Sequence, residues 1–193
     1  GGSATTAITA TIDGSQSGHF TIASNACHQV ILQANGNCQV SVRFIPQSPG
    51  SKTASLTVSA TTGGTAIASL SGVGTAAIVA MLFGTGAGVT TSSPSGISCP
   101  GTCSAEFPGG SVVLTTLTDT VSYLTNLVGC TSRIGSVCTI LVDQPKNMGA
   151  YFAPSWTVSH NGPASGDDSA YAVAVDPQGF VLAAGAESVD QGG

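Results

Sequence analysis

The chain has 193 residues, enough for one or two domains with real cores. Charged residues make up only 7%, far below the roughly one quarter usual in soluble domains, and the net charge is −5. That excludes a nucleic-acid surface, because Arg43, Lys52, Arg133 and Lys146 are too few and too scattered to neutralise a phosphate backbone. Hydrophobic residues are 41% but aromatics only 5%, and Gly, Ser, Thr and Ala supply much of the rest. This composition suits short β-strands joined by tight turns under a neutral, hydroxyl-rich surface, and it does not suit helical bundles. The expected class is all-β.

Residues 1–75 alternate polar and apolar at period two. Thr5–Ile12 reads as one strand, and Asp13-Gly14 begins a turn. His19–Ile22 and Gln29–Leu32 read as short strands, with a turn at Asn35-Gly36-Asn37. Cys38–Phe44 alternates cleanly and should be half-buried; Pro46 to Gly50 breaks it. Ser51–Ser59 alternates again, and Ala66–Gly74 closes the segment. Strands and turns at this spacing predict a β-sandwich.

In the same segment Phe20-Thr21-Ile22, Cys27, Gly36 to Pro46, Gly50, Ala54 to Val58 and Leu70 to Gly74 carry a resemblance. Residues 7–75 resemble the bacterial Ig-like domains of the abnormal-spindle/choice-of-anchor group. That resemblance implies a β-sandwich of surface and secreted proteins, without chemistry of its own. The family has two or three further strands before the position of Thr5, so domain 1–75 is expected to lack its first strands. The chain opens on Gly1-Gly2-Ser3, without initiator Met or charged leader, and reads as a processed piece of something longer.

Ala76–Phe83 is the longest apolar run, eight residues, the length of a buried strand and far short of the roughly 18 needed to span a membrane. Ser111–Thr118 and Thr139–Val142 are β-rich. Six cysteines permit 15 connectivities. Locality favours Cys27 with Cys38, Cys99 with Cys103, and Cys130 with Cys138, because each pair sits at the ends of one predicted turn or hairpin. Disulfides imply an oxidising compartment. The rival reading, zinc, wants C-x2-C or added His; here the spacing is C-x3-C, and His19, His28 and His160 are scattered.

Residues 84–152 resemble the internalin B-type bacterial repeats. The matching residues are Gly86 and Gly88 before Val89, Ser93-Pro94, Gly96 to Cys99, Cys103 to Phe107, Gly110 to Thr115, Gly129-Cys130, Cys138 to Val142 and Met148 to Phe152. The resemblance implies a small β-module of about four strands over 76–154. The family usually has a Trp three residues before the Gly-Cys cysteine; here it is Leu127, which argues against an aromatic surface platform.

Residues 155–193 change character. Trp156 to Pro163 and Gly166 to Gly185, with Ala172-Val173-Ala174-Val175-Asp176 and the turn Pro177-Gln178-Gly179, resemble a single bacterial β-propeller repeat. One repeat is far short of the four to eight blades a propeller needs, so these strands are expected to dock elsewhere.

Chemistry is sparse. Asp167, Asp168 and Asp176 suit a hard cation, but they match no EF-hand spacing and serve equally as turn caps. Ser98 and Ser104 lie near cysteines without a Gly-x-Ser-x-Gly elbow. The three His residues have no obvious nucleophile partner. Nothing marks Lys52 or Lys146 for an internal isopeptide with Asn. We expect no enzyme activity, cofactor or metal.

The expectation is a non-catalytic extracellular or cell-surface structural protein, a filament subunit that associates with copies of itself, head to tail, by β-strand addition. The assembly strand would carry Tyr171, Val173, Val175, Phe180 and Leu182. The alternatives are a spacer of a larger bacterial surface adhesin, or a glycan-binding accessory module of a secreted enzyme. Trp156, three Tyr and six Phe are the only aromatics for the last, and they fall mostly at core-type positions.

Overall fold

The computed structural model describes residues 4–155, 169–175 and 181–186. The chain divides into two compact units, residues 1–155 and 156–193, each treated by itself. The architecture is all-β; one turn of 3-10 helix at Ser17–His19 is the only helical element among the described residues.

The first part of the larger unit holds β1 (Thr9–Asp13), β2 (Phe20–Asn25), β3 (Val40–Phe44), β4 (Gly50–Ala60) and β5 (Gly64–Gly74). They form a three-stranded sheet, β1-β4-β5, and a two-stranded ribbon, β2-β3. Register sorts the three-stranded sheet by residue type. Ile12 opposes Leu56, Ala10 opposes Val58, and Ala66, Ala68 and Leu70 oppose Val58, Leu56 and Ala54. The other face carries Thr9, Thr11, Ser55, Thr57, Ser59, Thr65, Ser69 and Ser71 in matching rungs, with Ile67 and Val73 as its exposed apolar exceptions. Period-two alternation therefore yields one apolar and one hydroxyl face.

The ribbon covers one end of the apolar face. Phe20 and Phe44 oppose each other with ring centroids 5.1 Å apart. The Phe44 ring lies so close to Gly72 that a Cβ there would come within 2.7 Å of it. A buried Lys52 shares that end and donates its Nζ hydrogen to Pro49 O at 3.1 Å. The Cys27–Cys38 disulfide closes the long connection between β2 and β3, with Cα atoms 5.1 Å apart.

Two expected strands differ here. Thr5–Ile12 is not one strand: Thr9–Asp13 pairs with β4, whereas Thr5 N and Ile8 N donate to Leu32 O and Val30 O. Gln29–Leu32 is not a ladder strand either. Gln29 sits at φ +58° and Asn35 at φ +63°, and the disulfide-closed loop turns too tightly for a continuous ladder.

The second part holds β6 (Ala76–Gly84), β7 (Gly88–Ser93), β8 (Ser98–Cys99), β9 (Ser104–Phe107), β10 (Gly110–Thr118), β11 (Ser122–Val128), β12 (Ser132–Ile134), β13 (Val137–Val142) and β14 (Lys146–Pro154). Nine strands replace the four expected, because several are only two to four residues long and carry too little pattern to be read singly. Their sheets run β12-β13-β10-β7-β8 and β11-β14-β6-β9. Both contribute to one core, in which Ile78, Leu114, Ile140 and Met148 are fully buried. The apolar run is the buried strand β6, paired in parallel with β14 and antiparallel with β9. Thr90, Thr116 and Ser122 are buried polar residues here: the two threonine hydroxyls meet at 2.9 Å, and Ser122 Oγ accepts from Ala87 N at 2.8 Å. Cys99–Cys103 and Cys130–Cys138, with Cα atoms 4.5 and 5.3 Å apart, are part of this core: Cys99 and Cys138 are buried in it, and Cys103 and Cys130 pack against it.

The smaller unit contains an antiparallel hairpin, β15 (Ser169–Val175) with β16 (Val181–Ala186), irregular in register between Ala170 and Ala172.

Candidate functional site

The distinctive surface of the larger unit is the β5 side of the three-stranded sheet. The ribbon stops short of it. Ala54 is buried and Leu56 and Val58 are half-buried, but Gly64 to Ser69 are exposed on both faces of β5. Ile67 is 70% exposed. Among the described residues β5 pairs with β4 alone, so its outer row of N–H and C=O groups is unpaired by strand. Eleven residues long, β5 carries no charge and no Pro, the devices that usually protect an edge. Such an edge accepts another strand, and the bare apolar strip beside it at Ala66 and Ala68 would pack that strand's alternate side chains.

Of the expected assembly residues, Tyr171, Val173 and Val175 lie on β15 and Leu182 on β16. Phe180 lies outside the described residues, as do His160, Trp156, Asp167, Asp168 and Asp176. A two-stranded hairpin by itself is marginal in water.

The remaining candidates have structural partners. His19 Nδ1 accepts from Gln47 N at 3.1 Å, fixing the 3-10 turn against the loop after β3. His28 is exposed in the disulfide-closed loop. Ser98 exchanges two backbone hydrogen bonds with Thr102, both 2.8 Å, across the Cys99–Cys103 turn. Ser104 opens β9. Lys146 Nζ donates to Asp143 at 2.7 Å; this hydrogen bond holds the Asp143 carboxyl below its usual range. No group of three or more His, Cys, Asp or Glu is placed to hold a metal among the described residues. A shallow apolar depression of about 250 Å³ beside Gly88, Leu117 and Asp119 has Asp119 as its titratable group, and that carboxylate accepts from Val121 N at 3.2 Å. No helix among the described residues is long and apolar enough to cross a membrane. The three disulfides fit an oxidising environment.

The expectation that the aromatics fall mostly at core-type positions holds for buried Phe20, Phe107 and Phe152 and half-buried Phe44, but three others depart from it. Leu127 is buried in the core, so an aromatic at that position would not face the surface. Instead Tyr123, Phe83 and Tyr151 are 54%, 39% and 37% exposed. Phe83 and Tyr151, opposed on β6 and β14, stack with centroids 4.8 Å apart. With Val128 they lean over Gly149, where an added Cβ would lie 3.0–3.4 Å from all three. Alternation carried the missed signal: Ile78, Ala80, Met148, Ala150 and Phe152 point inward, which turns Phe83 and Tyr151 outward.

No family model, curated protein or solved structure matches this chain.

Proposed function

We propose that this chain is a non-catalytic structural subunit of an extracellular filament, and that copies join head to tail by β-strand addition. The observation that carries the reading is the unprotected β5 edge, exposed on both faces from Gly64 to Ser69. The guest is the β15–β16 hairpin of a neighbouring copy, added edge to edge so that β5 is followed by a strand of Ala and Val. Its sequence alternates Ala170, Ala172 and Ala174 with Tyr171, Val173 and Val175 and, like β5, carries no charge. Covering the hairpin and the bare strip together offsets two marginal surfaces at once. The low-charge surface permits close packing of copies. The resemblance of residues 7–75 to Ig-like domains of bacterial surface proteins, and the three disulfides, point the same way.

The test is sedimentation velocity of the full-length chain beside Ile67→Lys and Ala68→Pro. Charge and Pro on the edge should leave the internal β4–β5 hairpin folded and convert large assemblies to monomers. A wild-type chain that stays monomeric at every concentration contradicts the reading, and would favour a spacer in a larger surface protein.

A further inference from the structure

A second surface, on the opposite part of the larger unit, is independent of the assembly edge. The outward face of the sheet β11-β14-β6-β9 carries the stacked Phe83–Tyr151 pair with Asn126 opposite Tyr151 on the next strand. We infer that this row is a binding strip for a neutral pyranose chain.

The strip is built rather than incidental. Strand β11 has an irregular register between Leu124 and Asn126, at Thr125, whose Oγ1 donates to Tyr151 O at 2.9 Å. One extra residue there keeps Leu124 and Leu127 against the core while Tyr123 and Asn126, three apart, share the outer face. From the edge of the other sheet, Arg133 on β12 reaches over and donates from Nη1 to Asn126 Oδ1 at 2.9 Å, with its Nε held by Gly135 O at 3.0 Å. The guanidinium is thereby oriented, and its Nη2 has no acceptor among the described residues. The amide of Asn126 keeps its NH2 hydrogens for a ligand as well.

A row of aromatic edge and face ending in an amide and a fixed guanidinium matches a specific chemistry. A pyranose ring presents C–H groups on its flat side, which pack on aromatic rings, and hydroxyls at its rim, which need donors and acceptors. A purely apolar partner would leave Arg133 Nη2 and the Asn126 NH2 desolvated and unpaired, at a cost. The strip holds one cation and no carboxylate: Glu106 lies on β9, beyond β6, and Asp143 is engaged by Lys146. A single guanidinium does not build a site for a polyanion, so the sugar is neutral.

The experiment is native affinity electrophoresis of the full-length chain in gels containing hydroxyethylcellulose, arabinoxylan or galactomannan, with heparin as the polyanion control. We expect retardation in at least one neutral gel and none specific to heparin. Phe83→Ala with Tyr151→Ala should weaken it about tenfold or more, and Arg133→Met several-fold less. Tyr123→Ala, a lone exposed ring, provides a second variant free of the contacts over Gly149 and should weaken it too. Val89→Ser, on the other sheet, should leave it unchanged. No retardation in any neutral gel overturns the inference, as does equal retardation of the wild type and both ring variants. Retardation only by heparin overturns it in favour of a charge surface. If the ring variants lower the sedimentation coefficient while sugar retardation stays the same, the face is an interface between copies. Because Ile67→Lys touches only the assembly edge, a monomeric Ile67→Lys chain that is still retarded separates this inference from the assembly reading.

Discussion

Residues 4–75 and 76–155 are both antiparallel-rich β-structures pinned by disulfides, yet they are closed to different degrees. The second part puts fifteen apolar residues into one core between a five-stranded and a four-stranded sheet. The first buries four apolar residues, Ile8, Phe20, Cys27 and Ala54, beside Lys52, and its two-stranded ribbon covers one end of a three-stranded sheet. The difference lies in layer width, not in strand quality. β4 and β5 are the longest strands among the described residues, and the ladder between them runs unbroken from Gly50–Gly74 to Ala60–Gly64. What they lack is cover over Ala66 and Ala68. A closed module can serve as a rigid body; a half-covered one has surface left with which to recruit.

The largest expected effect probes the closed part. Leu114→Ala empties the middle of its core and should cost about 2–5 kcal/mol in denaturant unfolding. An equal truncation at half-buried Leu56 should cost distinctly less, and equal losses would erase the contrast between the two parts.

Next comes the staple of the open part. Replacing Cys27 and Cys38 with Ser releases a loop worth roughly 3 kcal/mol in the chain-entropy model. With so few buried residues behind it, the first part should lose amide protection in hydrogen exchange while β10 and β13 keep theirs. Uniform loss along the chain would mean that the two parts unfold as one.

A finer probe is the buried hydroxyl pair. Thr116→Val strands the Thr90 hydroxyl and should cost about 1–3 kcal/mol, whereas Thr90→Val with Thr116→Val should recover most of it. A double variant as unstable as the single would show that the pair is not isolated from other partners.

The smallest effect is at the surface. The hydrogen bond from Lys146 lowers the Asp143 pKa in the folded chain, so its contribution is present above the ordinary carboxylate range and fades as pH falls through the depressed value. Both groups are at the surface, and Asp143→Asn should melt indistinguishably from wild type at neutral pH. A clear drop in melting temperature would contradict this.

Much of the strand content was legible in the chain. Ser51–Ser59 and Ala66–Gly74 announce β4 and β5 by alternation, and the apolar run Ala76–Phe83 announces a strand buried in a sheet interior. The parallel pairing of β6 with β14 was not legible, because residues far apart in sequence leave no local mark of their register. Gln29–Leu32 looked like a strand because its residues are strand formers; the positive φ of Gln29, set by the closed loop, prevailed over propensity. The resemblance implies missing first strands but names no edge, and locating the open edge on β5 needs the register. Tyr123 and Asn126 share a face only through the irregularity at Thr125, which no periodicity reveals.

On the proposed reading the bare β5 edge is an assembly device. Negative-stain electron microscopy of the full-length chain, never refolded, tests it most directly, with Ile67→Lys imaged alongside. Regular fibres with a short axial repeat are expected for the wild type and isolated particles for the variant. Isolated particles for both, at concentrations where neither sediments as an assembly, would contradict it.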